Sequence, residues 1–194
     1  MKKFILSLAA IILLQLSCLA GPGELIKNAG TSKDYPNADY LVVLDKTTVD
    51  VQETGLSYNN IQKVYKVLTY EGATHLNHLT FDYDTLSAYI EIKEVTIYRK
   101  NGIVEKLGPE NYYDYPAPAF MIYWGARQQM VNLGKLEPGD GIDVKYFKKG
   151  FTYALLYDEN QPDDSKYIPP MRGQFYDIIE YWHSQPVLEK IYEL

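Results

Sequence analysis

The sequence predicts an all-β fold, an antiparallel β-sandwich with Greek-key-like or meander connections and few short helices. Three observations predict it. Apolar residues recur with a two-residue period from Tyr40 onward, the mark of strands with one buried and one solvated face. Tyrosine contributes 19 of the 194 residues, and tyrosine with β-branched side chains suits a pleated, half-buried surface. Turn residues punctuate the pattern, most clearly Asn101-Gly102 between two apolar runs.

Residues 1–20 stand apart from this body. Lys2 and Lys3 give a positive start, Phe4 to Leu14 is apolar except for Ser7, and Ser17-Cys18-Leu19-Ala20 supplies small residues before Gly21-Pro22-Gly23. This is the layout of a secretory signal peptide, with Ala20 the last residue removed. A membrane anchor is the competing reading, but Phe4 to Ala20 is short of the roughly 20 apolar residues of a span. Leu16-Ser17-Cys18 also resembles the end of a bacterial lipoprotein box, although Gln15 stands where that motif carries leucine, so Cys18 is a candidate lipidation site. Either route predicts an exported chain, periplasmic or held as an outer-membrane lipoprotein, with the membrane touched only through the lipid.

What remains after residue 20 has no cysteine and forms no internal disulfide, so stability must come from an ordinary core. The remaining 174 residues suffice for one domain that buries about 70% of its unfolded surface. Loss of Lys2 and Lys3 takes the formal charge from −6 to −8. A mildly acidic surface argues against nucleic acid or anionic lipid as an electrostatic partner.

In chain order, residues 21–39 read as a leader or linker with little periodicity, and 40–194 as a single sandwich domain. Tyr40 to Leu44 is a short apolar run and Thr48 to Gln52 alternates. Tyr58 to Tyr70 is a long strand candidate with Ile61, Tyr65 and Val67 on one face. His78 to Asp84 sets Leu79, Phe81 and Tyr83 against Thr80, Asp82 and Asp84. Within Tyr89 to Arg99 the apolar phase jumps from Ile90 and Ile92 to Val95 and Ile97, which predicts a β-bulge near Lys93-Glu94. Asn101-Gly102 predicts a hairpin with a type I′ turn. Pro109 to Gly125 reads as loop or short helix, and Ala126 to Leu133 as helical or extended. Pro138-Gly139-Asp140-Gly141 introduces a strand through Ile142, Val144 and Tyr146. Gln161 to Gly173 reads as a loop. Phe175 to Trp182 and Val187 to Ile191 alternate again, and the apolar stop at Leu194 suggests a domain truncated at that end.

Several of these stretches together resemble an all-β domain of unknown function that precedes transglutaminase-like domains in exported bacterial proteins. They are Tyr35 to Asp45, Val64 to Leu68, Val95 to Tyr98 with Asn101 to Val104, Asn132-Leu133 through Leu136-Glu137-Pro138-Gly139-Asp140 to Ile142, and Phe175-Tyr176 with Pro186-Val187. Full-length members continue into a cysteine–histidine–aspartate domain, for which this chain has no corresponding residues. The resemblance implies an exported, non-catalytic accessory or recognition module of the cell envelope, with a transglutaminase-like protein or an envelope glycan or peptide as partner.

The residues themselves offer little catalytic chemistry. A thiolate mechanism needs a cysteine beside a base, and Cys18 lies in the signal. His75 and His78, three apart, face opposite ways in a strand and do not converge on a metal. Asp158-Glu159-Asn160 with Asp163-Asp164 offers hard oxygen ligands but lacks the glycine and glutamate of a calcium loop. No G-x-S-x-G element occurs. No enzyme activity, metal or cofactor is therefore expected. Tyr112, Tyr113, Tyr115, Tyr123 and Trp124 are the candidate ligand-binding residues, because rings with polar edges combine contact area with a hydrogen-bonding handle. They carry the alternative reading, a stand-alone glycan- or peptide-binding protein. The competing reading is that these tyrosines fill the core.

Overall fold

The computed structural model describes residues 21–118, 125–151, 175, 177–181 and 183–194. Among the described residues nine strands form two sheets, confirming the all-β sandwich. β1 (Tyr40–Val51), β2 (Leu56–Val67), β4 (Ala88–Tyr98), β5 (Val104–Lys106), β8 (Gly141–Phe151) and β9 (Lys190–Glu193) make a six-stranded sheet in the order β5-β4-β8-β2-β1-β9. β3 (His78–Asp84), β6 (Tyr112–Pro116) and β7 (Ala126–Asn132) make a three-stranded sheet in the order β3-β7-β6. β1–β2 and β4–β5 pair as sequence neighbours, whereas β8 enters between β2 and β4, a Greek-key-like departure from a meander.

The phase jump in β4 is a bulge. Its register against β8 shifts between Ile92 and Glu94, so Ile92 opposes Tyr146, Val95 opposes Val144 and Ile97 opposes Ile142. The extra residue keeps every one of these side chains on the inner face. With Val67, Val131, Leu133 and Leu136 they form the core between the sheets. A second bulge, between Val42 and Leu44, joins the two short runs predicted for β1 into one strand.

Several local expectations are corrected. The linker 21–39 carries α1 (Pro22–Asn28), started by a proline in its first turn; its buried Ile26 covers the outer face of the large sheet with Leu41, Val43, Val64 and Leu68. The strand expected to reach Tyr70 ends at Val67. Thr69 then caps α2 (Tyr70–His75), its hydroxyl accepting the Gly72 N–H at 3.0 Å, as a threonine before a helix does. The Asn101-Gly102 hairpin exists, but its turn is not type I′. Gly102 alone has positive φ, +89°, and its N–H bonds to Arg99 C=O at 2.9 Å. The central residues are Lys100 and Asn101, with Gly102 in the left-handed position that completes a three-residue loop.

Ala126–Asn132 is extended, and Pro109–Asn111 is a single 3₁₀ turn leading into β6. Of the alternating stretch 175–182, the described residues 175 and 177–181 form no strand. β9 runs parallel to β1, pairing Asp45 with Lys190 and Thr47 with Tyr192, so the large sheet is not wholly antiparallel. A parallel neighbour requires a crossover rather than a hairpin, and β9 follows β8 only after residues 152–189. The signal segment with Cys18, the acidic run 158–164 and Tyr123 and Trp124 lie outside the described residues.

Candidate functional site

The inner face of the large sheet changes character along its strands. At one end Tyr65 and Val67 of β2 and Ile142 and Val144 of β8 face the small sheet as core. At the other end the same inward phase continues through Ser57, Asn59 and Lys63 of β2, Lys148 of β8, and Asp45 and Thr47 of β1. The small sheet's strands are 5 to 7 residues long, against 11 or 12 in β1, β2, β4 and β8. They cannot cover the whole inner face. Among the described residues, the end they leave open forms a cleft of about 590 Å³, closed at its sides by Tyr83 of β3 and by Asp177, Ile178, His183 and Tyr192.

Asp45 anchors the cleft. It is only 5% exposed, yet Lys190 Nζ donates to its Oδ2 at 3.1 Å and Lys63 Nζ lies 3.7 Å away. Two ammonium groups on flanking strands thus compensate one buried carboxylate, which would otherwise be strongly unfavourable there. The Tyr146 phenol is pushed well above its ordinary range, first by burial and then by the charge of Asp45. Its ring packs on Phe81 with centroids 4.6 Å apart. The Tyr192 hydroxyl, which donates to Asp177 at 2.7 Å, is pushed up to about 12 by burial and that bond. Ser57 Oγ donates to Gly150 C=O at 3.0 Å, and Asn59 Nδ2 donates to Ser57 Oγ at 3.1 Å. At neutral pH both phenols stay protonated, so the cleft presents fixed donors and acceptors beside aromatic rings. That is hydrogen-bonding machinery for a polar ligand.

Of the five aromatic candidates the structure describes Tyr112, Tyr113 and Tyr115, and these three do not share one face. In β6 alternate residues face opposite ways. Tyr112 packs against the core, its hydroxyl donating to Leu107 C=O at 3.2 Å. Tyr113, 47% exposed, and Tyr115 stand on the outer face of the small sheet, where Tyr113 pairs across from Met130 and Tyr115 from Gln128. The Tyr115 hydroxyl donates to Gln128 Oε1 at 2.5 Å. His75 ends α2 and His78 begins β3, both exposed. Among the described residues, no three histidine, cysteine, aspartate or glutamate side chains gather as a metal set.

Sequence reasoning did not single out Asp45, Asn59, Lys63 or Lys148. For three of them a signal existed: Asn59 and Lys63 continue the inward phase of Tyr65 and Val67, and Lys148 that of Ile142 and Val144, so polar residues stood where that phase called for core; Asp45 follows the β1 bulge, which breaks the period.

A model of the domain of unknown function DUF3857, a family with a solved structure, matches residues 53–194. No curated protein matches the sequence. A crystal structure from Parabacteroides distasonis, described as a putative protease, is similar with a TM-score of 0.52 at 13% identity. The match covers 59% of this chain and 24% of that one, so the chain spans about a quarter of that protein's length; at this identity the likeness concerns the fold alone. The CBM3a-L domain of scaffoldin CipA from Clostridium thermocellum is a remoter neighbour, with a TM-score of 0.34 at 12% identity over 58% of this chain and 68% of that one.

Proposed function

The chain belongs to the DUF3857 family, and from that premise we propose that it is an exported, non-catalytic accessory module of the bacterial cell envelope. It recognises a polar envelope component or positions a transglutaminase-like partner there. The supporting observation is the open polar end of the sandwich. Asp45, Lys63 and Lys190 hold one another in place, and Asn59 and Lys148 line the same wall beside Tyr146 and Tyr192. Convergent polar groups among aromatic rings, fixed by a sheet, suit recognition of a glycan or peptide. Residues 1–20 carry the export reading, with Cys18 as the lipid attachment point if the lipoprotein route operates.

Sedimentation with purified cell-wall sacculi and co-purification with a transglutaminase-like protein encoded nearby test this reading. The wild-type protein is expected to follow one of the two, and Lys148→Glu, a change on an exposed side chain, is expected to release it. A protein that follows neither, or a variant that behaves as wild type in both, would overturn the proposal.

A second reading rests on a different surface. Tyr113 and Tyr115 lie with Met130 on the outer face of the small sheet, so stand-alone glycan or peptide binding through that face is the alternative. Tyr113→Ala would then abolish sacculus binding while Lys148→Glu left it intact.

A further inference from the structure

Away from the cleft, a groove of about 500 Å³ runs between α1, the β4–β5 hairpin and the turn before β8. Lys27, Lys66, Arg99 and Lys100 line it, with no carboxylate in its lining among the described residues. The whole chain carries a formal charge of −6, so a cationic groove runs against the general balance. Two of the cations are committed elsewhere: Arg99 to Glu105 and Asp140, and Lys100 to Glu137.

Lys66 is different. It is only 8% exposed, yet among the described residues its ammonium has no carboxylate within 4.0 Å and no hydrogen-bond acceptor within 3.5 Å. Asp34, the carboxylate that acts on it from a distance, is held by the backbone N–H and hydroxyl of Thr31 at 2.8 and 2.9 Å. Burial holds the Lys66 amine below its ordinary range. The stem of Lys66 is covered, but its ammonium keeps contact with solvent, since no buried side-chain nitrogen or oxygen among the described residues lacks a hydrogen-bond partner; its charge is therefore available to an anion entering the groove. Apart from Thr31 and three glycines, the remaining walls are Ile26, Tyr98, and the exposed Ile103 and Val104.

We propose that this groove binds an organic anion, a carboxylate carried on an apolar body, with Lys66 as the charge that selects it and Ile103 and Val104 as the surface for its apolar part. This site is separate from the inter-sheet cleft, and the proposal does not depend on the function assigned there. N-acetyl-leucine is a minimal probe, and N-acetyl-leucinamide offers the same apolar body without the charge. Following the backbone amides of Gly102, Ile103, Val104 and Gly139 by NMR, the acid is expected to give saturable shifts with a Kd on the order of 1 mM, and the amide to bind at least about tenfold more weakly.

Lys66→Met keeps the unbranched stem and removes the charge; it is expected to weaken the acid about tenfold while leaving the amide unchanged. In the unaltered protein, the pKa of the Lys66 amine is expected to rise when the acid binds, a readout that does not require the variant to fold. Equal affinity for acid and amide, an unmoved Lys66 titration, undiminished binding by Lys66→Met, or no saturable shift would each overturn the proposal.

Discussion

Asp140 Oδ2 lies 3.1 Å from Nη1 of Arg99, and through this pair the hairpin after β4 is fastened to the turn before β8. The same carboxylate accepts the N–H of Lys100 at 2.9 Å and that of Glu137 at 3.0 Å. Asp140 is 2% exposed, and its own N–H closes the turn onto Glu137 C=O at 3.0 Å. The Leu136-Glu137-Pro138-Gly139-Asp140 stretch therefore acts as a structural clamp: two backbone donors and a guanidinium converge on one side chain.

Removing that side chain leaves two buried N–H groups and part of the Arg99 charge unmatched. Asp140→Ala is expected to lower stability by about 3 kcal/mol, and the melting temperature by roughly 10 °C. Glu105, 2.7 Å from Arg99 Nη2, keeps the loss from being larger. Thermal unfolding followed by circular dichroism measures it.

Asp143 gives a pH dependence of opposite sign to that of a paired carboxylate. Burial holds its carboxyl above the ordinary aspartate range, against the lowering effects of the Gln62 hydrogen bond and Lys145. A group with a raised native pKa favours the folded state below its unfolded pKa, and that advantage is lost as pH rises through the native value. Asp143→Asn, which keeps an acceptor for Gln62, is expected to stabilise the protein at pH 7, with the gain vanishing below the ordinary aspartate range. Urea midpoints across that pH span measure the difference; a gain independent of pH would contradict this account.

Gly72 sits where α2 touches the chain before β1. A Cβ there would lie 2.0 Å from the carbonyl oxygen of Asp39, which also accepts the N–H groups of Leu68 and Thr69. Both segments are backbone and neither yields locally. Gly72→Ala, favourable in an isolated helix, is expected here to destabilise by about 3 kcal/mol or more, read from the denaturant midpoint.

Much of the fold was legible because it is local. The jump from Ile92 to Val95 needs only neighbouring residues to read as a bulge, and the Asn-Gly pair marked a real hairpin. Gly102 supplied the positive φ by itself, so the turn differed in type. The alternation of Val187 to Ile191 marked β9, but its parallel course was not legible, because its partner, β1, lies some 145 residues earlier and periodicity carries no information on strand direction. α1 and α2 span 7 and 6 residues, too short for a helical period to show. Thr69 ahead of Gly72 and Pro22 at a helix start were the remaining signs. The cleft was hidden for a tertiary reason. Whether Asn59 and Lys148 face solvent or another layer depends on how far the small sheet extends over the large one.

Isothermal titration of soluble peptidoglycan fragments into the protein and into Asn59→Ala/Lys148→Ala, with the ligand recovered and weighed by mass spectrometry, is the most direct test of recognition without chemistry. Saturable binding by the wild type, at least about tenfold weaker binding by the double variant, and fragments returned at unchanged mass are expected. Cleaved or cross-linked fragments, or equal binding by both proteins, would contradict this reading.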